Sequence, residues 1–414
     1  MSGAKLTRRG LLGTAAAGTV ALAVGFGIPK VQGTNRRRVV VVGAGMAGLG
    51  AARMLLDRGF EVRVIEARDR IGGRVHTVGR FGAEIDLGAS WIHDSRGNPL
   101  TEIAKEAGLE TVPTDYDRVA LRRASGEAIS GRALGRAASA WEGIRTELYR
   151  MSWREGNRPL GPTLRDMVDA RVRAGVDRAA LEWLCGVEVP LDWAADPGEI
   201  SIVGFGEGTI YRGGPDLLIR GGAGQLISWL ATGVAVKRGD PVREVSRSRR
   251  GVRVILASGE VLRADGCVVT VPLGVLKAGK VRFRPALPTG HRRAIRGLGF
   301  GLLDKTFLSY DSTWWDRDLT QIATAGFGIS KAVSAFNFSQ VSGEPLLCAF
   351  TGAGFARSLE DGGPAGATPT VVRRLRQGFG SGANPGAATS TRWAKDRFAR
   401  GSYSFLAVGS TARD

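Results

Sequence analysis

The stretch VVVVGAGMAGLGAARMLLDRGFEVRVIEA, residues 39–67, constrains the fold of this chain more than any other. Four successive valines predict a buried strand over 39–42, and apolar residues at helical spacing predict a helix over 47–58 that Gly59 ends. A second strand is predicted over 61–65. The glycine pattern Gly-x-Gly-x-x-Gly joins the first strand to the helix, and this strand–turn–helix context is typical of nucleotide binding.

The residues of this turn have separate physical roles in nucleotide binding. Gly43 permits the tight turn, Gly45 lets the backbone approach a pyrophosphate, and Gly48 allows close packing of the helix. Free N–H groups at the helix N-terminus attract phosphate, and Glu66 can accept hydrogen bonds from ribose hydroxyls. A glycine turn without a ligand is the alternative, and these features do not separate NAD from FAD.

The residues that follow resemble a known family. Glu66-Ala-Arg68-Asp-Arg70-Ile-Gly72-Gly73-Arg74, and then GAEIDLGASWIH at 82–93, resemble the flavin-containing amine oxidases, which include monoamine and polyamine oxidases and the lysine-specific histone demethylase. Further landmarks match in the same order at 220–222, 268–276, 302–310, 391–393 and 401–404. The resemblance implies that the nucleotide is FAD.

The fold that this resemblance implies is α/β. A Rossmann-like FAD-binding domain, assembled from separated segments, is combined with a mixed α+β substrate domain. We predict FAD-binding segments at 35–98, 215–284 and 386–414, and substrate-domain segments at 99–214, which reads as mainly helical, and at 285–385. Residues 1–34 are predicted to be a signal.

The resemblance also predicts which residues contact FAD. Gly72 and Gly73 would turn N–H groups toward the pyrophosphate, and Arg74 would add a positive charge. Val242 would contact the adenine end, and Pro272 would end a strand near the cofactor. The full predicted set is Gly43, Gly45, Gly48, Glu66, Arg68, Gly72, Gly73, Arg74, Ala89, Trp91, Val242, Pro272, Trp393 and Tyr403, of which the last two would also line the substrate cavity.

Lys305 is predicted to be the catalytic lysine. Residues 304–310 read as a strand in which Lys305 shares a face with Leu303 and Phe307. A lysine on such a face either extends to solvent or is buried with a lowered pKa. In the family the lysine at this position holds a water beside the flavin N5; a structural lysine of an edge strand is the alternative.

The reaction implied by the resemblance is oxidation of an amine C–N bond to an imine, with O2 reduced to H2O2. His93 stands where polyamine-oxidising members have a histidine near the substrate amine, and a core histidine bonded to backbone is its alternative. Asp94 replaces the family's common glycine, and its carboxylate either attracts a second ammonium group or caps the following turn. Phe398 stands where the histone demethylase has tryptophan, and aromatic walls suit an amine through cation–π attraction.

Composition disfavours several other functions. The chain has a formal net charge of +19, but its basic residues form short dispersed runs without interleaved aromatics, which favours a solvated basic surface over nucleic-acid binding. The three cysteines and three histidines are scattered, so neither a disulfide framework nor a metal site is predicted. A chromatin demethylase is disfavoured because no long heptad insertion interrupts the chain.

The two ends of the chain support further predictions. Leu6-Thr7-Arg8-Arg9-Gly10-Leu11-Leu12 precedes an apolar stretch and resembles a bacterial twin-arginine signal, which predicts export, with retention as a membrane anchor left open. Family members continue beyond the position of Asp414 with a strand and a helix of the FAD domain, so we predict that domain to be incomplete.

Three functional alternatives stay open on the sequence. The first is an oxidase of polyamines or monoamines, which we favour. The second is a remnant that binds flavin weakly or not at all, and the third is a flavin oxidase that acts on an amino acid.

Overall fold

The computed structural model describes residues 37–152, 157–206 and 213–411. The predicted signal over 1–34 lies outside these residues. Within the described ranges, no helix is both long enough and apolar enough to cross a bilayer.

The strands and helices alternate irregularly along the chain. The strands are β1 (Arg38–Val42), β2 (Glu61–Ile65), β3 (Thr77–Arg80), β4 (Ala83–Asp86), β5 (Trp91–Ile92), β6 (Thr111–Thr114), β7 (Val119–Arg123), β8 (Asp216–Ile219), β9 (Val236–Lys237), β10 (Val242–Ser248), β11 (Gly251–Leu256), β12 (Val261–Ala264), β13 (Gly266–Val269), β14 (Arg282–Arg284), β15 (Gly299–Phe300), β16 (Leu303–Ser309), β17 (Gln321–Ala325), β18 (Ser334–Asn337), β19 (Leu346–Gly352), β20 (Ala387–Ser390) and β21 (Ser404–Phe405). The helices are α1 (Met46–Asp57), α2 (Pro99–Glu106), α3 (Gly131–Ser152), α4 (Leu160–Arg173), α5 (Arg178–Gly186), α6 (Ile202–Gly206), α7 (Gly224–Ala231), α8 (Leu273–Lys277), α9 (Thr289–Gly297), α10 (Ser339–Ser342), α11 (Ala353–Asp361) and α12 (Thr368–Phe379).

A parallel sheet in the order β13-β1-β2-β9 carries the predicted nucleotide turn. Its strand β1 is buried from Val39 to Val42, because it lies between two neighbouring strands and is covered on both faces. The predicted strand–helix–strand unit is confirmed, and β2 has the predicted bounds. Since the strands are parallel, their carboxyl ends meet at one edge, where ligands of such sheets bind.

Two further sheets complete the main framework. An antiparallel sheet, in which β14 alone pairs in parallel, has the order β12-β11-β10-β14 and packs on the first sheet through the apolar side chains of β1, β10, β11 and β12. A six-stranded sheet has the order β20-β16-β19-β18-β17-β7 and places β16, with Lys305, between β20 and β19.

Helices α3, α4 and α5 pack around the buried side chains of Trp141, Ile144, Leu148 and Leu181. Between α5 and Trp193 the chain forms a π-helical turn over Val187–Leu191, which we call the π-turn. It packs on the six-stranded sheet so closely that a Cβ at Gly352 would lie 2.4 Å from the Pro190 carbonyl oxygen.

The prediction that 99–214 is mainly helical is confirmed, but two short strands in this range were not predicted. Strands β6 and β7 lie between α2 and α3, and β7 pairs in parallel with β17, a strand that the sequence did not reveal. Both are short, and their partners are distant in the chain, so local periodicity does not reveal them. After α12, the chain forms a 3-10 turn over Ser381–Ala383 and then β20.

Candidate active site and cofactor site

The glycine turn after β1 has the conformation that its residues predict. Gly43 adopts φ +105°, and a Cβ on Gly48 would lie 1.8 Å from the Gly43 carbonyl oxygen. Gly45 has more space, because a Cβ added there would have a single neighbour within 4 Å, the Gly72 carbonyl oxygen at 3.8 Å. Gly43 and Gly48 are therefore required by the turn itself, whereas Gly45 leaves space above it.

A second glycine segment lies beside the first. The Gly72 N–H donates to the Ala44 carbonyl oxygen at 2.8 Å, and Gly45 and Gly72 form an isolated parallel bridge. A Cβ on Gly73 would meet only the Gly45 Cα, at 3.5 Å. The two segments thus bring the backbones of Gly45, Gly72 and Gly73 together, with space where side chains would otherwise stand at Gly45 and Gly73.

Glu66 closes β2 and ties these segments together. Its Oε2 accepts from the Ala44 N–H and its Oε1 from the Arg68 N–H, both at 2.8 Å. A carboxylate has about four acceptor sites, so Glu66 retains capacity for ribose hydroxyls. Val242 packs in the same apolar cluster as Val42 and Ile65, and Pro272 precedes α8 at the end of β13.

These residues fit the adenine dinucleotide half of FAD. The N-terminus of α1 has no side-chain cap and no acidic residue in its first turn, so no side chain of that turn compensates its partial positive charge. Ala47 in that turn is exposed. Such a helix end above a side-chain-free backbone surface is suited to a pyrophosphate.

Arg68 and Arg74 bind protein groups far along the chain. Arg68 is buried, forms an ion pair with Asp396 at 3.0 Å and lies 5.3 Å from the centre of the Phe398 ring. Arg74 donates to the Ser402 carbonyl oxygen. Arg74 is exposed to solvent, yet burial of its charged group by surrounding protein lowers its pKa. A side chain that lines a cleft can have both properties.

Lys305 is buried inside the molecule. Its Nζ donates to the carbonyl oxygens of Asp86 at 3.0 Å and Gly88 at 2.6 Å, and to Ser90 Oγ. Burial lowers the pKa of Lys305, while Cys348 and Asp86 oppose this shift. The lysine is thus buried with a lowered pKa, one of the two outcomes predicted; its catalytic role stays a prediction.

Aromatic side chains surround Lys305. Its Nζ lies 5.5 Å from the ring centre of Trp91, and Trp91 Nε1 donates to Thr114 Oγ1 at 3.0 Å. Trp393 Nε1 donates to the Leu87 carbonyl oxygen at 3.1 Å. Ala89, between the Lys305 acceptors Gly88 and Ser90, is exposed. The structure therefore brings Ala89, Trp91 and Trp393 together around Lys305.

His93 belongs to a polar cluster around Asp216. The two residues pair between Nδ1 and Oδ2 at 3.0 Å, and Asp216 also accepts from the Asp94 N–H at 2.8 Å and the Tyr116 hydroxyl at 3.2 Å. His93 therefore pairs with a carboxylate through its side chain. The N-cap of α2 is Asn98, so Asp94 does not cap that helix; it adopts a left-handed conformation with φ 48°.

Asp192, which we did not predict, lies just after the π-turn within this environment. Burial raises its pKa well above the usual range, as do the nearby carboxylates Glu188 and Asp216. Tyr403 lies close by, since burial and then Asp192 raise its pKa to about 12 while Arg74 lowers it. A signal existed in the sequence, because Asp192 and Glu188 interrupt an otherwise apolar run over 185–195.

Glu188 also interacts with α3. Burial raises its pKa to about 8, while Arg145 and Trp141 oppose this shift. Because Glu188 already has these α3 partners, we take Asp192 and Asp216 as the candidate carboxyl pair of the site.

The fold and the site define a nucleotide-dependent α/β enzyme with a buried lysine beside the cofactor cleft. The chain belongs to the flavin-containing amine oxidoreductase family, whose model matches residues 46–414. This confirms the predicted family, the enzyme class and the flavin cofactor, FAD. Within the described residues, no group of three or more His, Cys, Asp or Glu could hold a metal ion.

Several known proteins are similar to this chain. Polyamine oxidase 4 of Oryza sativa subsp. japonica is 31% identical over 390 residues, which cover 90% of this chain and 79% of the relative. Lysine-specific histone demethylase 1 homolog 1 of Arabidopsis thaliana is 33% identical, over 92% of this chain and 48% of the relative. A structure of putrescine oxidase bound to putrescine superposes with a TM-score of 0.72 at 20% identity, covering 91% of this chain and 89% of that one, which confirms the predicted fold.

Proposed function

We propose that this chain is an FAD-dependent oxidase of diamines or polyamines, which oxidises a C–N bond to an imine while O2 is reduced to H2O2. The observation that carries the proposal is the pair of buried carboxyl groups, Asp192 and Asp216, close to Tyr403. The similarity of this chain to a protein named polyamine oxidase supports the same substrate class.

The two carboxyl groups differ in their hydrogen bonds, and therefore in how each would bind a cation. Asp216 accepts hydrogen bonds from His93, Asp94 and Tyr116, which stabilise it as an anion. Asp192 Oδ2 is buried and has no hydrogen-bond partner among the described residues. A buried carboxyl is unstable as an anion until a cation pairs with it, so an ammonium group would lower the pKa of Asp192 and displace its proton.

The remaining residues position the amine and exclude water. Bound FAD supplies the chemistry by accepting a hydride equivalent. The rings of Trp91 and Tyr403 provide apolar and cation–π surface for the amine. The amine of Lys305, with its lowered pKa, can pass a proton more readily than an exposed lysine.

The test of this function is anaerobic flavin reduction. Purified protein loaded with FAD is mixed with spermidine, putrescine or butylamine, and loss of the flavin absorbance is followed. We expect the diamine and the polyamine to reduce the flavin at much lower concentration than butylamine, because only they present a second ammonium group. No reduction by any of the three amines would contradict the proposal.

Replacing Asp192 tests the carboxyl pair. We expect Asp192→Asn to raise the half-saturating concentration of putrescine by about tenfold or more, the effect of losing a charged hydrogen bond of about 1.5–3 kcal/mol, and to leave butylamine nearly unchanged. Asp166→Asn, at an exposed position of α4, is the matched control. An equal loss for both amines would show that Asp192 has no part in recognising the second ammonium group.

We also propose that the chain is exported in the folded state through its twin-arginine segment, with membrane retention as an open alternative. The support is the Arg8-Arg9 sequence and the apolar stretch after it. Export of folded protein suits an enzyme that holds a nucleotide cofactor.

A further inference from the structure

The segment Thr391–Lys395, which we call the clamp segment, contacts the backbone of Lys305 and the segment of chain that holds the Lys305 Nζ. Thr391 contacts both backbone groups of Lys305, because the Lys305 N–H donates to Thr391 Oγ1 and the Thr391 N–H donates to the Lys305 carbonyl oxygen, each at 2.9 Å. Trp393 donates to the Leu87 carbonyl oxygen, between the carbonyl groups of Asp86 and Gly88 that hold Lys305 Nζ.

Two buried carboxyl groups hold the clamp segment. Asp304 Oδ1 accepts from Thr391 Oγ1 at 2.8 Å and from the Trp393 N–H at 3.1 Å. Glu360, on α11, accepts from the Ala394 N–H at 2.8 Å and the Lys395 N–H at 3.0 Å, one with each oxygen. Asp304 is 2% exposed and Glu360 is 1% exposed.

The arrangement favours a proton between the two carboxyl groups. Asp304 Oδ2 is buried without any hydrogen-bond partner among the described residues, and the Glu360 carboxyl lies close enough to raise the pKa of Asp304. Two carboxylates repel each other, whereas a protonated carboxyl donates to an ionised one. Both Glu360 oxygens already face N–H donors, so the proton belongs on Asp304 Oδ2.

We propose that Asp304 and Glu360 form a proton-sharing carboxyl pair that holds the clamp segment and thereby positions Lys305 and Trp393 for the reaction. The pair contacts neither substrate nor cofactor and acts through these two residues. Loss of the shared proton would place two negative charges in a buried site and release the clamp segment.

The charges around the pair favour this behaviour. Burial raises the pKa of Asp304, and the facing Glu360 raises it further, while Thr391 and the Trp393 N–H oppose the shift. Arg392 donates to the Glu360 backbone oxygen at 3.0 Å, and Lys395 Nζ pairs with Asp361 instead of with Glu360. Because the folded pKa lies above the unfolded one, the stabilisation is complete below the ordinary carboxyl pKa and is lost as the pH rises through the raised value.

Asp304→Asn tests the role of the titrating proton separately from the role of the Asp304 side chain as a hydrogen-bond acceptor. The asparagine oxygen can still accept from Thr391 and Trp393, and its amide can donate to Glu360 at every pH. We expect this variant to keep the flavin reduction rate within about twofold near neutral pH. We also expect it to lose the fall in activity around pH 8, and the fall in melting temperature between about pH 4 and pH 8, that titration of Asp304 would give the wild type.

Glu360→Gln is the contrasting variant. Its amide nitrogen would face the N–H of Ala394 or Lys395, leaving a buried donor unpaired, so we expect about a tenfold loss of rate or more at all pH values. Thermal unfolding is measured in parallel, so that this inference is tested even if no amine reduces the flavin. The proposal would be overturned if Asp304→Asn kept the wild type's loss of activity and melting temperature with rising pH, or if both variants lowered the flavin reduction rate equally.

Discussion

At the scale of single residues, the site depends on buried polar atoms that have few partners to spare. Lys305 has three acceptors at Nζ, and all three belong to the segment Asp86–Ser90. That segment includes the exposed Ala89 and leads into Trp91. The position of the lysine is therefore set by two backbone carbonyl groups, which are less adaptable than side chains, together with the Ser90 hydroxyl.

Lys305→Met tests the catalytic role of this lysine. Methionine fills a similar volume without a charge, so the variant is expected to fold, whereas flavin reduction by a good amine substrate should slow by about tenfold or more, as for loss of proton-transfer assistance. The rate is measured by stopped-flow absorbance. Lys280→Met, at an exposed position after α8, should match the wild type, and a Lys305→Met rate equal to it would exclude a catalytic lysine.

Residue-scale prediction succeeded where the cause was local. Alternation along β16 indicated that Lys305 lies on an apolar face, and the glycine spacing indicated the turn after β1. Asp304 had no such signal, because its significance comes from Glu360 on a different element. Asp192 and Asp216 interact only in the folded chain, where the charge of Asp216 raises the pKa of Asp192, and no spacing in the sequence reveals this.

At the scale of elements, the turn between β1 and α1 is the most constrained piece of backbone in the site. Gly48→Ala would bring a Cβ to 1.8 Å from the Gly43 carbonyl oxygen. Relief requires movement of the helix away from the strand, and with it the helix N-terminus. We expect the purified variant to have a lower melting temperature and to lose most of its bound FAD, measured by absorbance after gel filtration.

Gly50→Ala is the matched control in the same helix. An added Cβ at Gly50 has no neighbour within 4 Å, and alanine is favoured over glycine in a helix by about 1 kcal/mol. This variant should bind FAD normally and unfold at a slightly higher temperature. If Gly48→Ala behaved in the same way, the close approach of helix and strand would not matter for the cofactor.

Element-scale prediction was strongest for long periodic segments. Helix α1 was found with nearly correct bounds, and the helical content of 99–214 was expected, because apolar residues recur there at helical spacing. The short strands β6, β7 and β17 were missed, since four or five residues carry too little pattern to distinguish a strand from a loop. The π-turn has no sequence signature of its own.

At the scale of the whole molecule, one prediction concerns export of the folded flavoprotein. If the twin-arginine segment directs export, Arg8→Lys combined with Arg9→Lys should leave the flavoprotein inside bacterial cells, whereas the wild type should be recovered from the periplasmic fraction. The charge is kept in this pair of changes, so only the specific signal is altered. Equal distribution of both forms between the fractions would refute export by this route.

The ion pair of Arg68 with Asp396 and the bond of Arg74 to Ser402 each join residues 328 positions apart. During synthesis, the ribosome has made the glycine turn and Glu66 long before these partners emerge. The cleft wall can form only when nearly the whole described chain is available, and contacts of such long range form slowly. We therefore expect flavin loading to be a late event in biogenesis, because it follows synthesis of the segment that contains Asp396 and Ser402.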